Sequence, residues 1–145
     1  MAAAEFIQKE KGFTDPARTI IKGHSNGGML MLAVANQRPE LFGAVIGQVP
    51  LADMLRFDKF TIGHFLASDY GRTEENALDT LVKYSPYHNV KEQMYPPLLI
   101  LTGDHDDRVV PVHAYKFLAE VQHRAGGLRG QRPLLGRIYR DVGHG

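Results

Sequence analysis

A short aliphatic segment, a serine bracketed by glycines and a longer helical segment follow one another directly in the first quarter of the sequence. Residues 19–22 are predicted to form a strand, and residues 25–37 a helix. Between them, Gly23-His24-Ser25-Asn26-Gly27 has the Gly-x-Ser-x-Gly pattern, in which a serine occupies a sharp turn from strand to helix. Such a turn forces the serine into strained backbone angles, and both glycines are expected to let neighbouring backbone pass closely.

The rest of the chain repeats this alternation of aliphatic and helical segments. Further strands are predicted at residues 44–49, 97–102 and 135–139, further helices at residues 2–11 and 111–124, and an excursion that is helical in pieces at residues 52–95. Pro111 is predicted to be a first helical residue, and Tyr70-Gly71 and Ser85-Pro86 predict turns. The pattern favours an α/β fold with a mainly parallel sheet flanked by helices.

Composition places the chain among ordinary globular proteins. The 145 residues are enough for one domain with its own core, and 43% are hydrophobic while 23% are charged. A net charge of +1 gives no reason to expect nucleic acid or an anionic membrane as a partner. The sequence has no cysteine, and Glu5 interrupts the N-terminus before an apolar run develops, so we expect a cytoplasmic protein without a signal peptide.

Two later loops carry the residue types that a nucleophilic serine requires. A serine hydroxyl needs a general base, and the base needs an orienting carboxylate. Asp104, Asp106 and Asp107 follow the third predicted strand, and His144 follows the fourth between two glycines. Since ligands bind beyond the carboxyl ends of parallel strands, these loops are expected to meet Ser25 at one edge of the sheet. Spacing does not choose among the aspartates, each of which can also be a helix cap or a salt-bridged loop residue.

The remaining histidines do not predict a metal site. They show no i, i+4 pairing with carboxylates at ligand spacing, although His64 with Asp69, and His105 between Asp104 and Asp106, are the patterns closest to one. We therefore expect no metal.

Longer motifs make the sequence recognisable. Gly23–Gly28 followed by Ala35–Phe42 resembles the prolyl oligopeptidase family. The same holds for Thr61–His64, Asp69–Gly71, Lys83–Pro86, Asp104–Pro111 and Gly143–Gly145. The similarity runs through nearly the whole chain.

The resemblance implies that residues 1–145 are the C-terminal portion of an α/β-hydrolase catalytic domain. It implies cleavage of short peptides on the carboxyl side of proline through an acyl-enzyme, without a cofactor. It assigns Ser25 as nucleophile and His144 as general base, and it selects Asp106 because Gly103, Asp106, Arg108 and Val109 match the family pattern G-x-x-D-x-R-V. The other implied site residues are Asn26, whose N–H would bind the oxyanion; Arg108, which would bind a substrate carbonyl; and Tyr70, Val109 and Leu51, which would wall the proline pocket. Arg108 can also form a surface salt bridge, and the pocket residues can also be plain core.

Three departures from the family pattern affect these expectations. His24 stands where the family usually has glycine, and Gly-His-Ser-x-Gly is common in lipases and esterases. Leu66 stands where the family has a tryptophan that stacks on proline, so proline selectivity should weaken. The chain is also short at both ends: the N-terminal strands, the β-propeller, a tyrosine that donates to the oxyanion and a closing helix have no counterpart here. The remaining sheet should expose an apolar edge.

Three functions remain open at this point. The first is a part of a prolyl oligopeptidase that carries the Ser–Asp–His triad. The second is a non-catalytic truncated fragment or interaction module that keeps the hydrolase core. The third is a small esterase of the same fold, favoured by His24 and Leu66.

Overall fold

The computed structural model describes residues 1–72 and 77–145 and contains a four-stranded parallel sheet. Its strands are β1 (Ile20–His24), β2 (Ala44–Gln48), β3 (Leu98–Gly103) and β4 (Leu134–Tyr139), which lie side by side in chain order. All three pairings are parallel. The predicted strands and the α/β fold class are therefore confirmed, with shifts of a residue or two at the strand ends.

Helices connect the strands and cover the sheet. The α-helices of the described residues are α1 (Ala2–Glu5), α2 (Asn26–Gln37), α3 (Ala67–Tyr70), α4 (Leu78–Tyr84) and α5 (Val112–Ala125). Short 3₁₀ turns lie at Pro16–Arg18, Pro39–Leu41, Phe57–Lys59, Gly63–Leu66 and Tyr87–Asn89. The excursion predicted at residues 52–95 is helical in pieces as expected, and residues 73–76 within it lie outside the described part.

The single helix predicted for residues 2–11 is wrong in its second half. Phe6–Glu10 form a π-helical turn instead of continuing the α-helix. This wider turn accompanies the burial of Gln8, whose Nε2 donates to Thr19 Oγ1 and to the Leu41 carbonyl oxygen, both at 2.9 Å. Hydrophobic periodicity does not reveal an amide that finds two hydrogen-bond acceptors in the interior, so this turn could not be predicted from the sequence.

Two helices begin one residue later than predicted. Ser25 has φ 56° and ψ −118°, which are not helical angles, so α2 begins at Asn26. Pro111 lies immediately before the first residue of α5 with φ −61°, so it precedes the helix instead of opening it. The predicted turns are present: α3 ends before Gly71, which has φ +77°, and α4 ends before Ser85.

Two apolar clusters stabilise this arrangement. The larger joins α2, the sheet and α5, with the fully buried Leu32, Val45 and Phe117 among its members. The smaller lies beneath the excursion and consists of Met29, Leu51, Met54, Phe57, Leu81 and Val109. The smaller cluster matters for function because it supports the segments that border Ser25.

The two outer strands leave apolar side chains in solvent. On β1, Ile20 is 64% exposed, and on β4, Leu135 and Ile138 are 55% and 54% exposed. The expected apolar edge is therefore present. Among the described residues, no helix combines the length and apolarity needed to cross a membrane.

Candidate active site

Ser25 occupies a strained turn at the carboxyl end of β1. Its φ of 56° lies in the left-handed region, which costs a non-glycine residue on the order of 1–3 kcal/mol. The Ser25 N–H donates to the Gln48 carbonyl oxygen at 2.8 Å, which ties the turn to the end of β2. The hydrogen bond to the neighbouring strand thus stabilises the strained turn, which carries the serine hydroxyl at the edge of the sheet.

Of the two glycines predicted to allow close backbone approach around this serine, Gly23 has that role and Gly27 does not. A Cβ on Gly23 would lie 2.0 Å from the carbonyl oxygen of Gly27, so position 23 admits no side chain. A Cβ on Gly27 would have no heavy atom within 4 Å, so the expected steric need at position 27 is wrong. Neighbouring backbone instead passes close to the next residue, Gly28, where a Cβ would lie 3.0 Å from the Gln48 carbonyl oxygen and from Pro50.

A continuous chain of hydrogen bonds joins the three predicted triad residues. His144 Nδ1 lies 2.8 Å from Asp106 Oδ2, and His144 Nε2 lies 3.1 Å from Ser25 Oγ. A carboxylate accepts hydrogen bonds, so Nδ1 carries the ring proton and Nε2 is left as the acceptor that faces the serine hydroxyl. This tautomer is the one in which imidazole can remove the hydroxyl proton.

Asp106 is the aspartate that points inward. It is 3% exposed, and its Oδ1 accepts the backbone N–H groups of Arg108 at 3.0 Å and Val109 at 2.9 Å. Asp104 and Asp107 are exposed. The His105 side chain bonds Asp104 and holds the pKa of that carboxyl below its usual range. Of the three aspartates that spacing left open, Asp106 alone meets His144.

The loop that carries His144 folds back across the end of β3. A Cβ on Gly103 would lie 2.1 Å from the Val142 carbonyl oxygen, so glycine is required where the loop passes. The same carbonyl accepts the His105 N–H at 3.1 Å. Strands β1 and β4 are separated by three strand spacings, roughly 14 Å, and this crossing lets the imidazole reach Ser25.

Asn26 is the first residue of α2, directly after Ser25. The first backbone N–H groups of a helix have no acceptor within the helix, and the Asn26 N–H is one of them. It lies at the positive end of the helix dipole. The Asn26 side-chain oxygen accepts a hydrogen bond of 2.5 Å from the Tyr70 hydroxyl. Burial raises the pKa of Tyr70, so the hydroxyl keeps its proton for this bond.

A small cavity of about 70 Å³ opens beside Ser25 and His144. Its other walls are Ile62, Leu66, Arg108 and Val109. Of the predicted substrate-binding residues, Arg108 and Val109 border this cavity. Ile62 belongs to the Thr61–His64 motif, which assigns it no role, and only the structure shows that it borders this cavity.

The other two predicted pocket residues lie behind the cavity. Leu51 is 2% exposed within the smaller apolar cluster, and Tyr70 packs against the Phe57 ring with centroids 5.6 Å apart. A larger cavity, about 390 Å³, includes Phe42 and Arg132 in its walls and lies at the amino ends of the strands. Its walls contain no serine, threonine, cysteine or histidine, so the smaller cavity is the candidate for serine chemistry.

A buried polar network centred on Asp53, which was not predicted from the sequence, stabilises the segments on which the site rests. The Asp53 carboxylate has no solvent exposure and bonds Lys116 and Arg56, while the Asp53 N–H donates to His113 Nδ1 at 3.0 Å. Burial has the largest single effect on the pKa of Asp53 and raises it, but Lys116, together with His88 and Arg56, brings the pKa below its usual range. Burial also lowers the pKa of His113 to about 4.

A second part of this network fixes the start of the excursion. The buried Ser85 hydroxyl donates to the Ala52 carbonyl oxygen at 3.3 Å, accepts the Met54 N–H at 3.0 Å and lies 2.8 Å from His88 Nδ1. Although a serine, a histidine and an aspartate gather here, Ser85 is fully buried. The group therefore anchors residues 52–54, and no motif could have revealed it because its members lie on separate elements.

No group of three or more histidine, cysteine, aspartate or glutamate side chains within residues 1–72 and 77–145 could hold a metal ion.

The sequence profile of the prolyl oligopeptidase family (Peptidase_S9) matches residues 1–145. The chain belongs to the prolyl oligopeptidase family. A prolyl endopeptidase of Dictyostelium discoideum is 47% identical over 148 residues, which cover 100% of this chain and 19% of the relative. A prolyl endopeptidase of Elizabethkingia miricola is 43% identical and is covered to 20%.

Solved structures of the family have the same fold. A structure from a study of two prolyl endopeptidases superposes with a TM-score of 0.88 at 47% identity, covering 94% of this chain and 20% of that one. A post-proline cleaving enzyme from Rickettsia typhi gives a TM-score of 0.90 at 36% identity, covering 99% and 20%. The chain thus corresponds to part of the α/β-hydrolase domain of this family and spans about a fifth of the length of its relatives.

Proposed function

We propose that this chain is the C-terminal portion of a serine peptidase catalytic domain that hydrolyses short peptides on the carboxyl side of proline. The observation that carries the proposal is the chain of hydrogen bonds from Asp106 through His144 to Ser25, at 2.8 and 3.1 Å. The family membership supports peptide substrates, since the relatives are named prolyl endopeptidases. A cytoplasmic location, suggested by the lack of cysteine, stays a prediction.

In the proposed reaction, Ser25 Oγ attacks the carbonyl carbon of the scissile bond while its proton passes to His144 Nε2. The imidazolium then gives that proton to the leaving amine, and an acyl-enzyme remains. Water repeats the sequence, with His144 again as the base, and releases the acid. Asp106 keeps its negative charge and stabilises the imidazolium through Nδ1–H. No cofactor takes part.

The negative charge that develops on the substrate oxygen needs donors. The Asn26 N–H is proposed as one donor because it follows the nucleophile at the start of α2. The Tyr70 hydroxyl is proposed to hold Asn26 in place through its 2.5 Å hydrogen bond. Arg108 is exposed at the rim of the cavity and is proposed to bind a substrate carbonyl.

The test is labelling of the 145-residue chain with a fluorophosphonate, which reacts with an activated serine. We expect labelling of the native chain and none of Ser25→Ala. Ser68→Ala is the matched control, because Ser68 is an exposed serine outside the triad whose hydroxyl donates to the Phe65 carbonyl oxygen. Folded protein that takes no label would contradict the proposal and favour a non-catalytic interaction module.

A second measurement separates a peptidase from an esterase. His24 and Leu66 are the residues that favour an esterase function. We expect a Gly-Pro anilide to be cleaved with a higher kcat/KM than the corresponding alanine anilide. Turnover of a p-nitrophenyl ester without any preference for proline would assign the chain to the esterases instead.

A further inference from the structure

The side chain of His24 packs edge-on against the imidazole of His144. The two ring centroids are 4.9 Å apart and the ring planes meet at 67°, which is a T-shaped contact. His24 is the last residue of β1 and pairs with Gln48 of β2 in the parallel ladder. Its backbone is therefore fixed by the sheet, while the outer part of its side chain is exposed to solvent.

The His144 ring needs a lateral contact of this kind. Its two hydrogen bonds, to Asp106 and to Ser25, act at the opposite nitrogens of the ring. Two hydrogen bonds, one at each ring nitrogen, fix the line between the nitrogens, but the ring can still tilt about that line. The N–H and lone-pair directions of an imidazole do not lie along the line between its two nitrogens, so tilting the ring about that line turns both directions away from their partners and weakens both hydrogen bonds.

The sequence next to His144 offers no side chain that could prevent this tilt. Both neighbours, Gly143 and Gly145, lack a side chain, and a Cβ on Gly145 would have no heavy atom within 4 Å. Yet the His144 side chain is only 8% exposed, so something covers the ring. The ring contact with His24 supplies part of this cover, from a residue whose backbone the sheet fixes.

We propose that His24 is a positioning residue for the nucleophilic serine, which acts by holding the plane of the His144 imidazole through an edge-to-face ring contact. The proposal rests on the proposed function of Ser25, His144 and Asp106. His24 does not line the cavity beside Ser25, and in this proposal its effect passes through the general base. The contribution belongs to the ring shape of His24, so an aromatic ring without nitrogen should replace it.

The experiment measures inactivation of the 145-residue chain by a fluorophosphonate as a function of probe concentration. This separates the maximal inactivation rate, kinact, from the half-saturating concentration, KI. In His24→Gln, which keeps a polar side chain but has no ring, we expect kinact to fall about 3- to 10-fold with KI unchanged. In His24→Phe, which restores the ring, kinact should return to within about 2-fold of the native value.

His123→Gln is the matched control, since His123 is an exposed histidine on α5 outside the site. It should leave both parameters unchanged. A thermal unfolding midpoint for each variant shows whether the fold is intact. A general structural role for His24 predicts a lowered midpoint, which a positioning role does not.

Three results would overturn the inference: native kinact in His24→Gln, failure of His24→Phe to restore the rate, or a loss confined to KI. These results differ from failure of the proposed function, in which the native chain itself takes no label. Labelling of the native chain therefore comes first, and the His24 variants are compared only against it.

Discussion

Gly23 and Gly27 show, at the scale of the residue, why one glycine of the Gly-x-Ser-x-Gly pattern is required here and the other is not. Gly23→Ala would put a methyl group 2.0 Å from a backbone oxygen that cannot move without disturbing α2. We expect it to lower the free energy of unfolding by about 3 kcal/mol or more. Gly27→Ala should instead stabilise α2 by about 0.5–1 kcal/mol. Urea denaturation of both variants measures the difference, and equal effects would contradict it.

Leu66 determines the apolar surface that a substrate proline meets in the proposed function. Leu66→Trp would place a flat ring in the wall of the cavity. We expect the ratio of kcat/KM for proline over alanine anilides to rise about 2- to 10-fold, because an aromatic surface favours the proline ring. Phe65→Trp is the control, since Phe65 is 70% exposed and is not part of the cavity wall. An equal rise in both variants would show that the cavity is not where selectivity arises.

At the scale of the element, the segment after β2 and the start of α5 are held together by a buried histidine. His113 on α5 accepts the Asp53 N–H through Nδ1, and it can do so only while that nitrogen is unprotonated. Burial lowers the pKa of His113 to about 4, against an ordinary value of 6.5. The unfolded chain therefore binds a proton between these pH values that the folded chain does not.

This difference predicts how stability depends on pH. The contribution of His113 is fully present above pH 6.5 and is lost as the pH falls from 6.5 towards 4, by about 3 kcal/mol in total. His113→Asn keeps an acceptor for the Asp53 N–H and does not titrate, so its unfolding free energy should fall less over this range. His123→Asn, on the exposed side of the same helix, should retain the native slope. Identical slopes for all three proteins would refute the prediction.

The elements were predictable from the sequence wherever local patterns decide the structure. Alternating aliphatic and helical segments predicted the four strands and the parallel sheet but not the order of the strands, and the triad candidates followed from loops at the carboxyl ends of strands. Choosing Asp106 among three aspartates took either the family resemblance or the coordinates. The π-helical turn at Phe6–Glu10 and the network around Asp53 were not predictable, because each depends on hydrogen bonds between residues far apart in the chain.

At the scale of the whole molecule, β1 presents an unpaired strand edge. Ile20 is 64% exposed on that edge, and such edges pair readily with other chains. We expect the isolated 145-residue chain to self-associate at high concentration and Ile20→Lys to reduce this association, as measured by sedimentation velocity. Leu78→Lys makes the same chemical change at an exposed site on α4. If Leu78→Lys dissociates the chain equally well, the strand edge is not the contact.

The hydrogen bond between Ser25 and His144 spans 119 residues and joins loops from the first and last strands of the sheet. During synthesis on the ribosome, Ser25 emerges long before His144. The growing chain therefore has a serine hydroxyl of ordinary reactivity, without the base that would activate it against peptide bonds. Under the proposed function, proteolytic potential appears only after the loop that carries His144 has been synthesised and has folded against Ser25. Reaction with the fluorophosphonate then counts only the molecules in which the two loops have met.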